Sequence, residues 1–530
     1  MGDKYFSKIV NINEEVKNYR NAICFVCGTG SGKSHWVKNV LTNKGKVLFI
    51  TSRRAKVEED LVDESFTDDI ISSICKGRYE RILITNHQLC CLIKKVFDPT
   101  KYSDCISTFD LIINEFDYIV VDEVHSIISD STFTDDSFIL KKFIEYTAFK
   151  MKKITILLSA TIEYLKPYLK ENGWAIRDLT SKCKFVLPKQ VHFIPSAIND
   201  RLKRITIEKK KIIYYSNSAT NIIDKIYSEF REILSEESIA VILSDKKQTQ
   251  FYKKFPKAEA ICEMTKDSMK RNLMLPSQIR VLLTTSKLRE GINLNNTDIT
   301  NIFSESHNLS NNIQYMGRVR NGVEEFYVVA DIKQYDSNLN RLEYEYSTKK
   351  EINACNEYFQ SNINENATAI ISLIEDKFQY IRFNYIDNKF QIYDLRYEMQ
   401  KILSERIQNK WKSDFRIFCN KHDIPLYDLH EAIKSNAQEK IDSFIDKDLF
   451  GEQKTEALKN LEKAYKITKK QPTALNKELQ AKGIPLRITE VRGKGDNRNS
   501  RGIKIIKQKY FFNSVRGRIC SKAVIKAILR

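Results

Sequence analysis

Long apolar runs are missing from this chain of 530 residues. No stretch reaches the length that a helix needs to cross a bilayer, which excludes a helical membrane protein. The opening residues, Met-Gly-Asp-Lys-Tyr-Phe-Ser, lack the apolar core of a secretory signal, and their serine comes one place too late for N-myristoylation. We therefore expect a cytoplasmic protein that has no membrane partner.

Paired cysteine spacings are missing as well. The eleven cysteines are scattered along the chain, which excludes a disulfide framework and favours reduced thiols. Cys24 and Cys27 form a C-x-x-C, but no second pair follows at metal-binding spacing, so a structural role is expected. The C-terminal half also lacks the P-D-x-(D/E)-x-K and H-N-H patterns of nucleases. No separate nuclease site is therefore predicted.

Positive charge is abundant and unevenly placed. The net charge is +19, and residues 466–530 carry 18 lysines and arginines against three acids. Such a segment is typical of a module that binds a polyanion. Because Ile, Leu, Val and Phe recur along it, we interpret it as a folded module rather than as a solvated basic tail.

Short apolar runs alternate with longer helical stretches between residues 20 and 335, the pattern of parallel α/β sheets. A break around Pro188 and Pro195 separates two sets of five runs and indicates two α/β domains. The predicted strands are 22–26, 47–50, 82–84, 118–121 and 154–158, then 212–215, 239–243, 279–285, 299–303 and 326–330.

Two further parts are predicted after these domains. Residues 336–465 have apolar side chains at helical spacing and indicate a mostly helical domain. Within it, residues 378–397 interleave aromatic and basic side chains; a hydrophobic core is the favoured interpretation, and a stacking surface for single-stranded nucleic acid is the alternative. In the basic module, a helix over 473–482 precedes two strands, 486–491 and 503–511, that are joined by a basic turn. A helix followed by a basic hairpin resembles a winged-helix DNA-binding domain.

The most informative motif, Cys-Gly-Thr-Gly-Ser-Gly-Lys-Ser, occupies residues 27–34. Its glycines allow backbone N–H groups to surround a polyphosphate, while Lys33 reaches the β- and γ-phosphates and the Ser34 hydroxyl holds Mg²⁺. A helix that begins at Lys33 adds its partial positive charge. The residues predicted to bind ATP here are Gly28, Thr29, Gly30, Ser31, Gly32, Lys33 and Ser34.

A pair of carboxylates follows the predicted strand 118–121. Asp122 is suited to holding Mg²⁺, usually through water, together with Ser34. Glu123 is suited to orienting or deprotonating the water that attacks the γ-phosphate. A D-E-V-H sequence about ninety residues after a phosphate loop is much rarer than an isolated Asp-Glu pair. These carboxylates therefore indicate ATP hydrolysis rather than binding alone.

Together these blocks resemble the superfamily 2 helicases of the DExH-box kind, over roughly residues 20–335. In the order of that family, the chain carries blocks at 27–34, 51–54, 85–87, 122–125, 159–161, 214–218, 285–293 and 314–320. The resemblance implies two tandem RecA-like domains, at 1–188 and 189–335. The mostly helical domain at 336–465 and the basic module of winged-helix type at 466–530 complete the expected α/β architecture.

The resemblance also implies roles for single residues. Asp122 would position the metal, and Glu123 would be the catalytic base. Arg318 or Arg320 would be an arginine finger; the common pattern Q-x-x-G-R-x-x-R has its second arginine where this chain has Asn321, so both stay candidates. Further residues of the nucleotide site would be Gln314, Gly291 and Asn293. Contacts to nucleic acid are expected from Arg53, Arg54, Thr85, Ser216 and Thr285, and in the basic module from Arg492, Lys494, Arg498 and Arg501.

The predicted function is that of an ATP-dependent DNA helicase or translocase. A narrower resemblance to herpesvirus-type replication-origin-binding helicases, together with a Lys-, Asn- and Ile-rich composition, favours replication of a virus, phage or mobile element. A viral protein of this kind would work in the host cytosol. Two alternatives stay open: a DNA-binding protein whose ATPase is a conformational switch, and an RNA helicase.

Overall fold

The computed structural model describes residues 5–51, 81–97, 109–110, 113–183, 185–195, 210–285, 293–331, 340–467, 469–481, 484–492 and 501–507. The chain divides into two compact units, Met1–Tyr427 and Asp428–Arg530. In the ranges that the structure describes, no helix combines the length and the apolar character that crossing a membrane requires.

A parallel sheet of six strands forms the centre of lobe 1, which comprises the described residues from 5 to 183. The strands are β1 (Ala22–Val26), β2 (Val47–Thr51), β3 (Arg81–Thr85), β4 (Tyr118–Asp122), β5 (Ile154–Ser159) and β6 (Ala175–Asp178). Their order is β3-β2-β4-β5-β1-β6. The helices are α1 (Ile12–Tyr19), α2 (Lys33–Trp36), α3 (Asn86–Val96), α4 (Ser126–Ser129), α5 (Asp136–Glu145) and α6 (Lys166–Glu171). Because both faces of the sheet are covered, the first five strands are continuous apolar runs.

A second parallel sheet forms the centre of lobe 2, which comprises the described residues from 185 to 331. Its strands are β7 (Gln190–Ile194), β8 (Lys211–Tyr215), β9 (Ile239–Ile242), β10 (Val281–Thr284), β11 (Ile299–Ser304) and β12 (Glu325–Val329). The order is β7-β12-β11-β8-β10-β9, with a short strand at Leu426–Asp428 beside β7. The helices are α7 (Ala219–Asn221), α8 (Tyr227–Arg231), α9 (Asp245–Lys254), α10 (Glu259–Arg271) and α11 (Leu309–Met316). The prediction of two parallel α/β domains is therefore confirmed.

The chain from 340 to 427 is mostly helical and contains one small hairpin. Its elements are α12 (Arg341–Tyr346), α13 (Lys349–Lys377), β13 (Ile381–Asn384), β14 (Lys389–Ile392), α14 (Asp394–Ile402), α15 (Trp411–Lys421) and β15 (Leu426–Asp428). The hairpin β13–β14 is antiparallel. The aromatic rings of Tyr380, Phe383, Phe390 and Tyr393 are buried, which confirms the core interpretation of this segment and contradicts a stacking surface at these four rings.

Residues 381–427, here called the strap, pack first on lobe 1 and then on lobe 2. Leu395, Met399 and Ile407 belong to the apolar core of lobe 1. Trp411 and Phe415 belong to the core of lobe 2. The strap therefore crosses from one lobe to the other within the few residues between 407 and 411.

In its described residues, the second unit contains three helices and a three-stranded antiparallel sheet. In chain order its elements are α16 (Leu429–Phe444), β16 (Asp448–Leu449), α17 (Gly451–Tyr465), α18 (Pro472–Ala481), β17 (Leu486–Arg492) and β18 (Arg501–Lys507), and the sheet order is β16-β18-β17. Ile441 and Leu461 share one core with Leu479 and Ile505. The unit therefore begins at Asp428, whereas the sequence placed a boundary between residues 465 and 466.

Candidate nucleotide and nucleic-acid site

The strand order of lobe 1 brings three separate sequence blocks to one edge of the sheet. Strands β4, β5 and β1 are neighbours, and in parallel strands the carboxyl ends lie at the same edge. Val26 at the end of β1 is in register with Ser159 of β5, and Asp122 of β4 is in register with Leu158. The phosphate loop 27–34, the carboxylates and block 159–161 thus meet at this edge.

The phosphate loop encloses the ammonium group of Lys33. This side chain is buried, and its Nζ donates to the carbonyl oxygens of Cys27 and Gly28, both at 3.2 Å. Gly32 has φ of 86° at the start of α2, a conformation that favours glycine. Among the described residues, no carboxylate lies within ion-pair distance of Lys33. A buried cation held only by carbonyl oxygens is suited to receive an anionic phosphate.

Two oxygen atoms beside the loop fit a hard metal ion. The Ser34 hydroxyl lies 3.5 Å from Asp122 Oδ2, and Asp122 is 1% exposed. Its other oxygen, Oδ1, accepts from the backbone N–H of Glu123 at 3.0 Å. Hydroxyl and carboxylate oxygens are ligands that Mg²⁺ prefers. Ser34 and Asp122 are therefore the residues that would hold this ion.

The Glu123 carboxylate is held by groups from both lobes. Its Oε2 lies 3.4 Å from His125 Nδ1 and accepts from Gln314 Nε2 of lobe 2 at 3.3 Å. His125 Nδ1 also lies 3.1 Å from the Ser159 hydroxyl. The Glu123 backbone has φ of 53°, the left-handed conformation that is uncommon outside glycine and recurs at functional sites. A chain of polar contacts thus links the predicted catalytic base to block 159–161.

Ser159 and Thr161 form a tight turn next to this network. The Thr161 backbone N–H donates to Ser159 Oγ at 3.1 Å, and Ser159 Oγ donates to the Thr161 carbonyl at 2.8 Å. Both residues are buried. A movement of block 159–161 would therefore displace His125 and, through it, the Glu123 carboxylate.

Lobe 2 contacts the phosphate loop through residues at and after the end of α11. A methyl group added to Gly317 would lie 2.1 Å from Thr29 Oγ1, so only glycine allows this approach. A methyl group added to Gly30 would lie 2.7 Å from Nη1 of Arg320. The Arg320 guanidinium therefore lies against the phosphate loop.

Arg318 has different surroundings. Its Nη2 donates to Gln314 Oε1 at 3.1 Å, and its Nη1 donates to Asn293 Oδ1 at 3.4 Å. Both partners belong to lobe 2. Arg318 and Asn293 thus fix the side chain of Gln314, which in turn contacts Glu123.

Cys27 occupies the position where the strict phosphate-loop pattern has glycine. Its side chain is buried in the core with Phe25, Trp36 and Cys183. Burial alone would raise the pKa of the Cys27 thiol, but a hydrogen bond with Cys183 and the charge of Lys33 lower the pKa below its ordinary value. Among the described residues no cluster suited to a metal ion includes Cys24 or Cys27.

The predicted nucleic-acid contacts of the two lobes are only partly described. Thr85 accepts from the backbone N–H of Gln88 at 3.1 Å and caps α3. Ser216 donates to Glu305 Oε2 at 2.7 Å and is buried. Both hydroxyls thus have partners within the chain, and Thr285 follows directly after β10. Predicted site residues that lie outside the described ranges are Arg53, Arg54, Gly291, Lys494 and Arg498.

Tyr5 is a residue near the site that sequence reasoning missed. A methyl group added to Gly32 would lie 3.3 Å from the ring carbon Cδ1 of Tyr5, and the backbone N–H of Phe6 donates to the Ser31 carbonyl at 2.8 Å. Tyr5 is about half exposed. The one signal available was the pair of aromatic residues ahead of the first strand, which no motif singles out.

Comparisons with known proteins give one family match and several similar solved structures. Residues 7–164 match the family described as ResIII, "Type III restriction enzyme, res subunit". Residues 7–164 therefore form a ResIII-type domain, which spans less than a third of the chain. The phosphate loop, Asp122, Glu123 and block 159–161 all lie inside this ResIII domain, whereas Gln314 and Arg320 lie beyond it. A comparison with curated protein sequences finds no significant match.

Three of the solved structures similar to this chain are helicases. Helicase Lhr of Mycobacterium smegmatis, bound to ssDNA and AMP-PNP, is 13% identical to this chain with a TM-score of 0.39. The match covers 60% of this chain and 45% of the Lhr chain. The DUF1998 helicase MrfA, bound to DNA and AMPPNP, is 15% identical with a TM-score of 0.37, covering 60% and 47%. The DEAD-box helicase Mss116, bound to ssRNA and UDP-BeF, is 15% identical with a TM-score of 0.40, covering 78% and 89%. The chain thus matches less than half the length of the first two. The narrower resemblance to origin-binding helicases stays a prediction.

Proposed function

We propose that this protein is a nucleic-acid-dependent ATPase of the helicase or translocase type, acting on DNA. The observation that carries the proposal is the contact of Gln314 in lobe 2 with Glu123 in lobe 1, at 3.3 Å. Because the predicted catalytic base is held from both lobes, hydrolysis depends on how the lobes sit against each other. Such dependence is what couples a chemical step to movement along a polymer.

The residues at the cleft would have different roles in ATP hydrolysis. ATP with Mg²⁺ would supply the energy through cleavage of its γ-phosphate. Lys33 would bind the β- and γ-phosphates, and Ser34 and Asp122 would hold the ion. Glu123 would orient the attacking water and accept its proton, with the side chain kept in place by His125. Arg320 would stabilise the charge that develops on the phosphoryl oxygens.

The second unit supports a preference for DNA. Its order of helix, short strand, two helices and a hairpin resembles a winged-helix domain, with β17 and β18 flanking the basic turn. Arg492 and Arg501 are paired directly across these two strands, and both are exposed. Like charges in such a pair destabilise a hairpin unless a polyanion lies between them. We therefore infer that the hairpin contacts the phosphates of duplex DNA.

The biological setting follows from the same proposal. A motor with a separate duplex-binding unit suits replication of a virus, phage or mobile element, working in the cytoplasm or in the host cytosol. The two alternatives differ in observable ways. A switch ATPase would hydrolyse ATP on DNA without displacing a strand, and an RNA helicase would be stimulated by RNA but not by DNA.

The deciding experiment measures ATP hydrolysis with single-stranded DNA, duplex DNA, RNA and no polymer, and then strand displacement on forked DNA. Stimulation by DNA together with ATP-dependent displacement is expected. Lys33→Ala should abolish hydrolysis and leave DNA binding intact, while Glu123→Gln should bind ATP and stall. Normal hydrolysis by the Glu123 variant would remove its assignment as the base. Stimulation by RNA alone would overturn the DNA preference.

A further inference from the structure

Three side chains on the surface of lobe 1, outside the phosphate loop in sequence, form a connected series. Cys91 Sγ lies 3.6 Å from His87 Nε2, and His87 Nδ1 lies 2.9 Å from Asp136 Oδ2. His87 and Cys91 are four residues apart on α3, so they lie on one face of that helix. Asp136 comes from the first turn of α5. Helix packing thus aligns a thiol, an imidazole and a carboxylate.

The Asp136 carboxylate determines which ring nitrogen of His87 carries the proton. Because an ionised Asp136 only accepts hydrogen bonds, His87 Nδ1 must carry the proton that is donated to it. The other ring nitrogen, Nε2, then presents its lone pair to the Cys91 thiol. A nucleophile beside a base that a third group orients is the arrangement that activates cysteines.

Other charged side chains lie near Cys91, and two of them pair with the strap. Asp135, next to Asp136, pairs with Arg382 of the strap at 2.7 Å. Lys94 lies over the ring of Tyr385, also in the strap. Lys95 follows Cys91 by four residues on α3, so it flanks the thiol on the side opposite His87.

The adjacent residue, Cys90, differs from Cys91 in burial and in its contacts, although both lie in the same helical turn. Its side chain is buried, and burial together with the charge of Asp136 raises the pKa of its thiol well above the ordinary value. Its Sγ contacts the Asp136 carbonyl at 3.5 Å instead of the imidazole. Cys91 is exposed, and the other cysteines that the structure describes are buried.

We propose that Cys91 is a modification site for low-molecular-weight disulfides, in which His87 is the base and Asp136 orients it. The Cys91 thiol gives its proton to His87 Nε2, and the thiolate attacks one sulfur of the disulfide. The S–S bond of the reagent breaks as a mixed disulfide with Cys91 forms. The leaving thiolate takes the proton back from His87. The exchange step itself consumes neither ATP nor nucleic acid.

The test uses the full chain and two probes at pH 7. Glutathione disulfide measures exchange, and iodoacetamide, which is uncharged, measures nucleophilicity without attraction between charges. Cleavage after Arg81 and Lys94 releases one peptide that contains both Cys90 and Cys91, so tandem mass spectrometry compares the two thiols directly. We expect Cys91 to react first and His87→Gln to slow both reactions by about tenfold. Asp136→Asn should slow them less.

Lys95→Gln is the matched control, because it removes a charge at the same spacing from Cys91 on the opposite side. It should leave the iodoacetamide rate unchanged. Equal slowing by the Lys95 and His87 variants would mean that general positive potential activates the thiol, which overturns the proposal. A Cys91 rate unaffected by His87→Gln, or equal to that of Cys90, would also overturn it. His87 is mostly exposed, so its substitution leaves the fold intact.

Discussion

The two arginines of block 314–320 have different surroundings at the cleft between the lobes. The guanidinium of Arg320 lies against Gly30 in the phosphate loop. Arg318 donates instead to Gln314 and Asn293, which belong to its own lobe. A cation that stabilises a phosphoryl transition state must reach the phosphates from across the cleft. Because Arg320 lies beside the phosphate loop, we propose it as the arginine finger.

Alanine at Arg320 is therefore expected to lower kcat for ATP hydrolysis by about a hundredfold or more, with little change in KM. Arg318→Ala should have a smaller effect on kcat, because Arg318 donates to Gln314 and Asn293 of its own lobe. Steady-state kinetics with saturating DNA measure both variants. A larger loss of kcat in the Arg318 variant would reverse the two assignments.

Much of the candidate site could be predicted from the sequence, because the carboxyl ends of parallel strands lie at one edge of a sheet. Lys33, Asp122 and Ser159 each follow a buried apolar run, and parallel strands bring such positions to one edge. Hydroxyl groups were harder to assign. Thr85 and Ser216 are predicted to contact nucleic acid; in the structure one caps a helix and the other binds Glu305, and their contact with nucleic acid stays a prediction. A hydroxyl has many possible partners, and sequence spacing does not choose among them.

At the scale of elements, the hairpin β17–β18 places two arginines opposite each other at the border of the basic turn. Replacing Arg492 and Arg501 together by alanine should weaken duplex binding and reduce the salt slope by about two, because two phosphate contacts are lost. Binding titrations at several salt concentrations measure both quantities. Lys504→Ala is the control, since this residue pairs with Asp448 in the middle of the sheet.

An unchanged salt slope in the double arginine variant would show that the hairpin does not contact phosphates. An equal loss in the Lys504 variant would show that net charge, rather than the position of the arginines, sets the affinity. Either result would leave the ATPase assignment untouched, because the hairpin lies in the second unit.

The ten strands predicted in the two α/β domains correspond to β1–β5 and β8–β12, whereas β6 and β7 were missed. Strands β6 and β7 carry Arg177 and His192 among apolar residues, so neither forms a continuous apolar run. The hairpin β13–β14 lies in a part that was predicted as mostly helical. Its four-residue strands alternate polar and apolar side chains, a pattern too short to separate from helical spacing.

At the scale of the whole chain, the position of the unit boundary has a direct test. A fragment ending at Tyr427 should stay monomeric and hydrolyse ATP, because the strap and both lobes are complete. A fragment ending at Tyr465 keeps α16 and α17 but loses the partners of Ile441 and Leu461 in their shared core, so it should aggregate. Size-exclusion chromatography compares the two. A monomeric longer fragment with equal thermal stability would support a boundary near 465 instead.

The strap also determines when lobe 1 is able to finish folding during synthesis. Lys141 pairs with Asp394 at 2.8 Å, and Ser131 donates to the carbonyl of Leu395. A ribosome must therefore add more than two hundred further residues, including all of lobe 2, before these partners leave the exit tunnel. Until then the nascent chain holds an uncovered apolar face on lobe 1. Contacts of such long range slow folding and favour aggregation, so this chain should depend on chaperones while it is being made.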